Sequence, residues 1–216
     1  MIARLSAMKI KSAEFEISAQ TLATCPRWAL PEFAFIGRSN VGKSSLVNLL
    51  AERNALAKAS VTPGKTKLIN FFRINGNWSL VDLPGYGYAR VAKEQRADFN
   101  EAVANFLEKR DNLIRVFVLI DSRIPPQKID LQFLNWLMTV DVPFAIIFTK
   151  ADKQSASVTQ SNIAIFKRTA AEIMPTLPQY FVTSATAKTG RVEILDFIEQ
   201  ELAAAKAASK AAAQNP

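Results

Sequence analysis

Gly37-Arg38-Ser39-Asn40-Val41-Gly42-Lys43-Ser44 follows the apolar run Phe33–Ile36 and opens a stretch with helical spacing. The pattern is G-x-x-x-x-G-K-[ST] in a strand–loop–helix setting. Its glycines permit backbone angles and close approaches that a Cβ would block. Successive N–H groups then turn inward and, with the positive end of the following helix, form a cradle for phosphate oxygens. In such a loop Lys43 reaches the β- and γ-phosphates of a nucleoside triphosphate, and the Ser44 hydroxyl ligates Mg2+. Arg38, Ser39, Asn40, Val41 and Ser45 line the same turn. On its own the loop names neither the base nor the reaction.

Outward from the loop, short apolar runs alternate with longer amphipathic stretches, the pattern of a parallel sheet wrapped by helices. Strands are expected at Phe33–Ile36, Leu68–Ile74, Trp78–Asp82, Arg115–Ile120, Phe144–Phe148 and Tyr180–Val182. Asn75-Gly76-Asn77 is a hairpin signal and predicts one antiparallel edge pair. Helical stripes run through Phe99, Val103, Phe106 and Leu107, through Ile163, Phe166, Ala170 and Ile173, and through Leu195, Ile198 and Leu202. The fold expected is α/β and three-layered, a mostly parallel six-stranded sheet with helices on both faces. Residues 31–202 would form this domain. Residues 1–30 would be an extension with a possible edge strand at Glu14–Ser18. Residues 203–216 are an Ala/Lys-rich tail that continues the last helix and frays.

Thr149-Lys150-Ala151-Asp152 follows the strand Phe144–Phe148 and matches N/T-K-x-D. A carboxylate at Asp152 accepts two hydrogen bonds from the ring N–H and exocyclic amine of guanine. Adenine lacks both donors and would leave the acid unpaired, which makes the contact discriminating. Lys150 would lie along the base and brace the phosphate loop. Ser184-Ala185 fits a further guanine motif, in which a backbone N–H meets the base carbonyl. Asp82-Leu83-Pro84-Gly85 matches D-x-x-G at a strand end. Asp82 would hold Mg2+ through a water, and the Gly85 amide would meet the γ-phosphate. Thr62-Pro63-Gly64-Lys65-Thr66 is the candidate first switch, with Thr66 as second hydroxyl ligand of Mg2+. Lys43, Thr66 and Gly85 are the residues expected to act in hydrolysis. Losing the γ-phosphate would release both loops.

Composition narrows the chemistry. Cys25 is the only cysteine of the 216 residues and histidine is absent, so an intrachain disulfide, the usual zinc sites and an imidazole triad are excluded. No apolar run reaches the ~18–20 residues of a membrane span, and the N-terminal residues lack a signal-peptide core, so a cytoplasmic address is expected. The net charge is +8, which favours polyanionic partners. Arg53, Lys58, Lys65, Lys67 and Arg73 occupy a segment without acidic residues, and Arg90, Lys93 and Arg96 follow the second switch. Positive charge around nucleotide-sensing loops suits contact with RNA.

Gly-Arg-Ser-Asn-Val-Gly-Lys-Ser-Ser resembles the TrmE–Era–EngA–EngB–septin group of bacterial GTPases. Thr-Pro-Gly-Lys-Thr with Leu-Ile-Asn-Phe-Phe, Asp-Leu-Pro-Gly-Tyr-Gly-Tyr-Ala, and Asp121-Ser122-Arg123 with Asp130 and Trp136 resemble its EngB branch. The similarity runs from about Ala13 to Leu202. This resemblance implies a GTP/GDP switch that assists assembly of the large ribosomal subunit through its rRNA or precursor, and that normal cell division and septation need. A monomer is expected. Tyr86 stands where many signalling GTPases carry a water-orienting glutamine, which predicts slow intrinsic turnover. Asn40 matches a position at which related GTPases coordinate K+. Competing readings are an ATPase or kinase on the same loop, opposed by Asp152, and a signalling or septation-associated GTPase without direct ribosome binding.

Overall fold

The computed structural model describes residues 8–53, 56, 68–86 and 93–214, the side chains of 93–100 and of Gln214 excepted. The elements in chain order are β1 (Ala13–Ala19), β2 (Glu32–Gly37), α1 (Lys43–Ala51), β3 (Ile69–Ile74), β4 (Trp78–Asp82) and α2 (Lys93–Lys109). They continue as β5 (Leu113–Asp121), α3 (Lys128–Thr139), β6 (Phe144–Thr149), α4 (Ala156–Ala170), β7 (Tyr180–Val182) and α5 (Arg191–Gln214). The strands form one seven-stranded sheet in the order β1-β3-β4-β2-β5-β6-β7.

Its central strands are apolar at almost every position because both faces are covered. Phe33 and Phe35 of β2, Phe117 and Leu119 of β5 and Ile147 of β6 pack with Leu46, Val47 and Leu50 of α1 and Ile194, Leu195 and Ile198 of α5. The alternate residues Ala34, Ile36, Val116, Val118, Ile146 and Phe148 face Phe106 and Leu107 of α2, Leu134 and Leu137 of α3, and Ile163 and Phe166 of α4. Period-two alternation along each strand thus builds two cores at once, one on each side of the sheet. The three-layered, mostly parallel α/β arrangement is the one expected.

The seventh strand, β1, covers the possible edge strand at Glu14–Ser18, so the antiparallel edge holds two pairings, β1 with β3 and β3 with β4, where one was expected. β1 buries only its end residues, Ala13 and Ala19, so burial alone gives it little sequence signal. The hairpin turn recruits it. Asn75 and Gly76 take φ values of 50° and 70° between β3 and β4. The Asn75 side chain accepts from the N–H groups of Lys11 and Ser12 at 2.7 and 3.2 Å and donates to the Lys9 carbonyl at 2.8 Å. That clasp lays the incoming chain along β3, where Ser18 donates to Asn70 at 2.7 Å and Arg73 pairs with Glu16 at 2.8 Å. At the other end, α5 is one unbroken helix whose packing against the core stops at Leu202; its later turns are exposed.

Candidate nucleotide-binding site

The carboxyl ends of β2, β4, β5, β6 and β7 release the loops that carry the motif residues. In an open α/β sheet ligands bind at such ends, where neighbouring connections diverge. β2 is that point here, because it pairs with β4 on one side and β5 on the other.

The loop after β2 is shaped by its glycines. Gly42 caps α1 with φ 107°, a left-handed conformation closed to most side chains. Lys43 begins α1, and its ammonium donates to the Asp82 carboxylate at the end of β4. Both side chains are shielded, 11% and 2% exposed. Gly85 is packed onto the loop itself: a Cβ there would stand 2.6 Å from the Gly37 carbonyl oxygen and 3.5 Å from Ser39 N. The start of the second switch therefore rests on phosphate-loop backbone. Arg38 turns outward from the loop and donates to Asp130 of α3 at 2.9 Å.

The base-reading side is tied to the same loop. β6 ends at Thr149, whose hydroxyl donates to the Val41 carbonyl at 2.6 Å and lies 3.2 Å from that of Ile120. Lys150 adopts φ 62°, and its ammonium donates to the Asn40 carbonyl at 2.5 Å and to Asp121 at 2.8 Å. Asp121 ends β5 directly opposite Thr149 in the strand register. Burial alone would raise its pKa, but hydrogen bonds from Arg123 and Lys150 outweigh that and hold it at about 2. Asp152 accepts from the Ser184 hydroxyl at 2.6 Å, which in turn accepts from the Ala187 N–H at 2.9 Å. The Ser184 bond, against a smaller opposing effect of desolvation, lowers the Asp152 pKa and keeps it a carboxylate.

The sequence that builds this arrangement is similar to those of known proteins. The family model described as "50S ribosome-binding GTPase" matches residues 32–150. "Probable GTP-binding protein EngB" of Christiangramia forsetii is 54% identical over 192 residues, which cover 89% of this chain and 97% of the relative. The protein of the same name in Bacteroides thetaiotaomicron is 51% identical, over 89% of this chain and 95% of its own length. The chain belongs to the EngB family of GTP-binding proteins. These relatives are named GTP-binding proteins, and the matching family model is one of GTPases. A crystal structure of a probable GTP-binding protein EngB superimposes with a TM-score of 0.64 over 79% of this chain and 98% of that one; at 23% identity it speaks for the fold alone.

In this EngB chain, segments distant in sequence come together pairwise: Lys43 with Asp82, Gly85 with Gly37, Lys150 with Asn40, Thr149 with Val41 and Ser184 with Asp152. Ser45 is exposed on α1, while Leu83 and Pro84 are buried behind the switch, and Ala151 and Ala185 are half-buried. Gly64, Lys65 and Thr66, with Thr62 and Pro63, lie outside the described residues. The donor set fits a small hard cation. Ser44 follows Lys43 on α1, Asp82 is a shielded carboxylate beside that helix start, and both offer oxygen. Among the described residues no cluster of three or more His, Cys, Asp or Glu side chains competes for a metal.

Residue spacing had not assigned a task to Asp121 or Asp130, and it had given Ser184-Ala185 a backbone role without the Ser184 hydroxyl. The available signal for Asp121 was its place at the end of an apolar strand beside the strand ending at Thr149. Of the basic segment, Arg73 is engaged by Glu16 and lies 5.7 Å over the Trp28 ring. Lys58, Lys65, Lys67 and Arg90 lie outside the described residues, as do the side chains of Lys93 and Arg96.

Proposed function

We propose that this chain is a slow GTPase switch that acts on the large ribosomal subunit as it assembles, and through that role supports cell division and septation. The observation that carries the switch reading is Gly85 seated on the backbone of Gly37 to Ser39, beside the Lys43–Asp82 pair. In this reading the Gly85 amide would meet the γ-phosphate cradled by the loop. Losing the phosphate removes one of the contacts that hold the second switch and shifts it toward release.

In this reading the loop amides of residues 37–45 hold the phosphates and Lys43 neutralises the bridging and terminal oxygens. Ser44 and Thr66 would hold Mg2+ directly and Asp82 through water; the bound ion supplies charge neutralisation on the phosphate oxygens. Thr149 and Lys150 set the loop's position, Asp152 selects guanine, and Ser184 orients Asp152 while the Ala185 amide faces the base. Tyr86 carries no amide to orient a water, so turnover is slow until a ribosomal partner completes the site. Residues 31–202 form the GTPase unit of a cytoplasmic monomer, with the N-terminal 30 residues adding the edge strand β1 to its sheet and the tail from 203 continuing α5. Asn40, exposed with φ 61° in the loop, is the K+ candidate; equal turnover in potassium and sodium buffers removes it.

Support for the ribosomal partner comes from the description of the matching family model and from the net charge of +8. The test is co-sedimentation with purified large subunits and their precursors in the presence of GDP or a non-hydrolysable GTP analogue. Association restricted to the analogue supports the proposal. Absence of association with both nucleotides leaves the alternative, a septation or signalling GTPase that does not touch the ribosome.

A further inference from the structure

Asp130 sits in the first turn of α3 with its side chain only 1% exposed. A carboxylate in such a place is costly unless its oxygens are paired. Its partners come from two separate loops of the nucleotide site. Arg38, second residue of the phosphate loop, donates through Nε at 2.9 and 3.2 Å. Tyr86, the residue after Gly85, donates its hydroxyl at 2.9 Å. The Tyr86 ring is itself buried and stacks on Phe133, one turn along α3, with centroids 4.4 Å apart and planes within 21°. Burial, helped by the Asp130 charge, pushes the Tyr86 phenol well above its ordinary range, so it stays protonated and remains a donor.

A buried ion pair is a weak source of stability, and apolar groups of similar shape often replace one without loss. What this cluster supplies is position. Tyr86 spends its hydroxyl on Asp130 of α3, so it anchors the chain there. Gly85, one peptide earlier, is pressed against the Gly37 carbonyl. The other end of the cluster holds Arg38, the residue after that carbonyl.

We propose that Asp130 is a positioning residue for GTP hydrolysis, joining Arg38 and Tyr86 in one buried hydrogen-bonded unit that keeps Gly85 seated on the phosphate loop. The inference rests on the GTPase reading of the site and assigns α3 a part in it. Asp130 touches no substrate; it acts through the two residues it binds.

Tyr86→Phe tests this, because it keeps the ring and its stack on Phe133 and removes only the hydroxyl. The expected result is a fall in kcat for GTP hydrolysis of about tenfold, with KM and GDP affinity changed by less than about threefold. A role in packing alone would lower thermal stability and leave kcat per folded molecule unchanged. Asp130→Ala, which removes the acceptor of both bonds, should show the same kcat loss per folded molecule, and the double variant should fall no further than the poorer single variant, as for groups acting as one unit. Wild-type kcat in Tyr86→Phe, or losses that multiply in the double variant, overturns the inference while the GTPase reading stands. A wild-type protein that does not hydrolyse GTP overturns both.

Discussion

Replacing Gly85 by alanine should separate hydrolysis from nucleotide binding. Gly85 does not use the left-handed region that Gly42, Gly76 and Gly190 occupy, so alanine's backbone preferences are not the obstacle. The obstacle is the new Cβ, which would stand 2.6 Å from the Gly37 carbonyl oxygen. Ordinary contact is near 3.4 Å, so one of the two segments must retreat by about 0.8 Å. The phosphate loop is the worse candidate. Thr149 holds the Val41 carbonyl at 2.6 Å and Lys150 holds that of Asn40 at 2.5 Å, whereas Asp130 holds the two sides alike, through Arg38 and Tyr86 at 2.9 Å each. The switch side therefore gives way. A displacement of about 1 Å at a reacting geometry can cost on the order of 100-fold in rate, or about 2.7 kcal/mol in the barrier. Gly85→Ala should thus lower single-turnover phosphate release about 100-fold, while GDP affinity, read by titration with a fluorescent analogue, stays within about threefold. Hydrolysis within threefold of wild type refutes the steric reasoning. An equally large loss of GDP affinity refutes it too, since that would mean the loop had moved instead.

The glycine at the other end of that contact should behave differently. A Cβ on Gly37 would meet the Leu119 carbonyl and Val41 Cγ1, both at 2.9 Å, so Gly37→Ala should damage GDP binding and lower the melting temperature together. Asp152→Ala should abolish most of the preference for GTP over ATP in competition binding, a change of about tenfold or more; retained selectivity would remove Asp152 from the base-reading role. Thr149→Val keeps the shape but leaves the Val41 carbonyl without its 2.6 Å donor, a loss of about 1–3 kcal/mol. Faster GDP release in stopped flow, with a lower melting temperature, is expected. The Asp121 carboxyl is held at about 2 against 3.8, so its contribution is complete above about pH 4 and vanishes as pH falls through about 2. Urea midpoints should therefore depend less on pH between 4 and 2 in Asp121→Asn than in wild type, and nucleotide affinity should weaken through Lys150.

Motifs whose physics is local were legible before any fold was known. The phosphate loop needs a strand, a turn with positive φ at Gly42 and a helix start, all within adjacent residues. The six apolar strands and the helical stripes follow from burial on one or two faces, which leaves a period in the chain. β1 leaves only a weak one, enough for a possible edge strand at Glu14–Ser18, because its middle residues Glu14 to Ile17 are exposed and its pairing comes from β3, fifty or more residues later. Backbone complementarity at an edge carries no side-chain pattern.

The sequence by itself determined an α/β sheet with a G-x-x-x-x-G-K-S loop, a D-x-x-G strand end and a T-K-x-D turn at Thr149–Asp152. Spacing along the chain encodes backbone geometry, and those motifs are little else. Only the tertiary structure decided which charges meet. Strand register sets Asp121 beside Thr149 and so beneath Lys150. The packing of α3 brings Asp130 to Arg38 and Tyr86 across 92 and 44 residues. Such partners are chosen by where separate elements come to rest in three dimensions, and no interval in the chain records that distance.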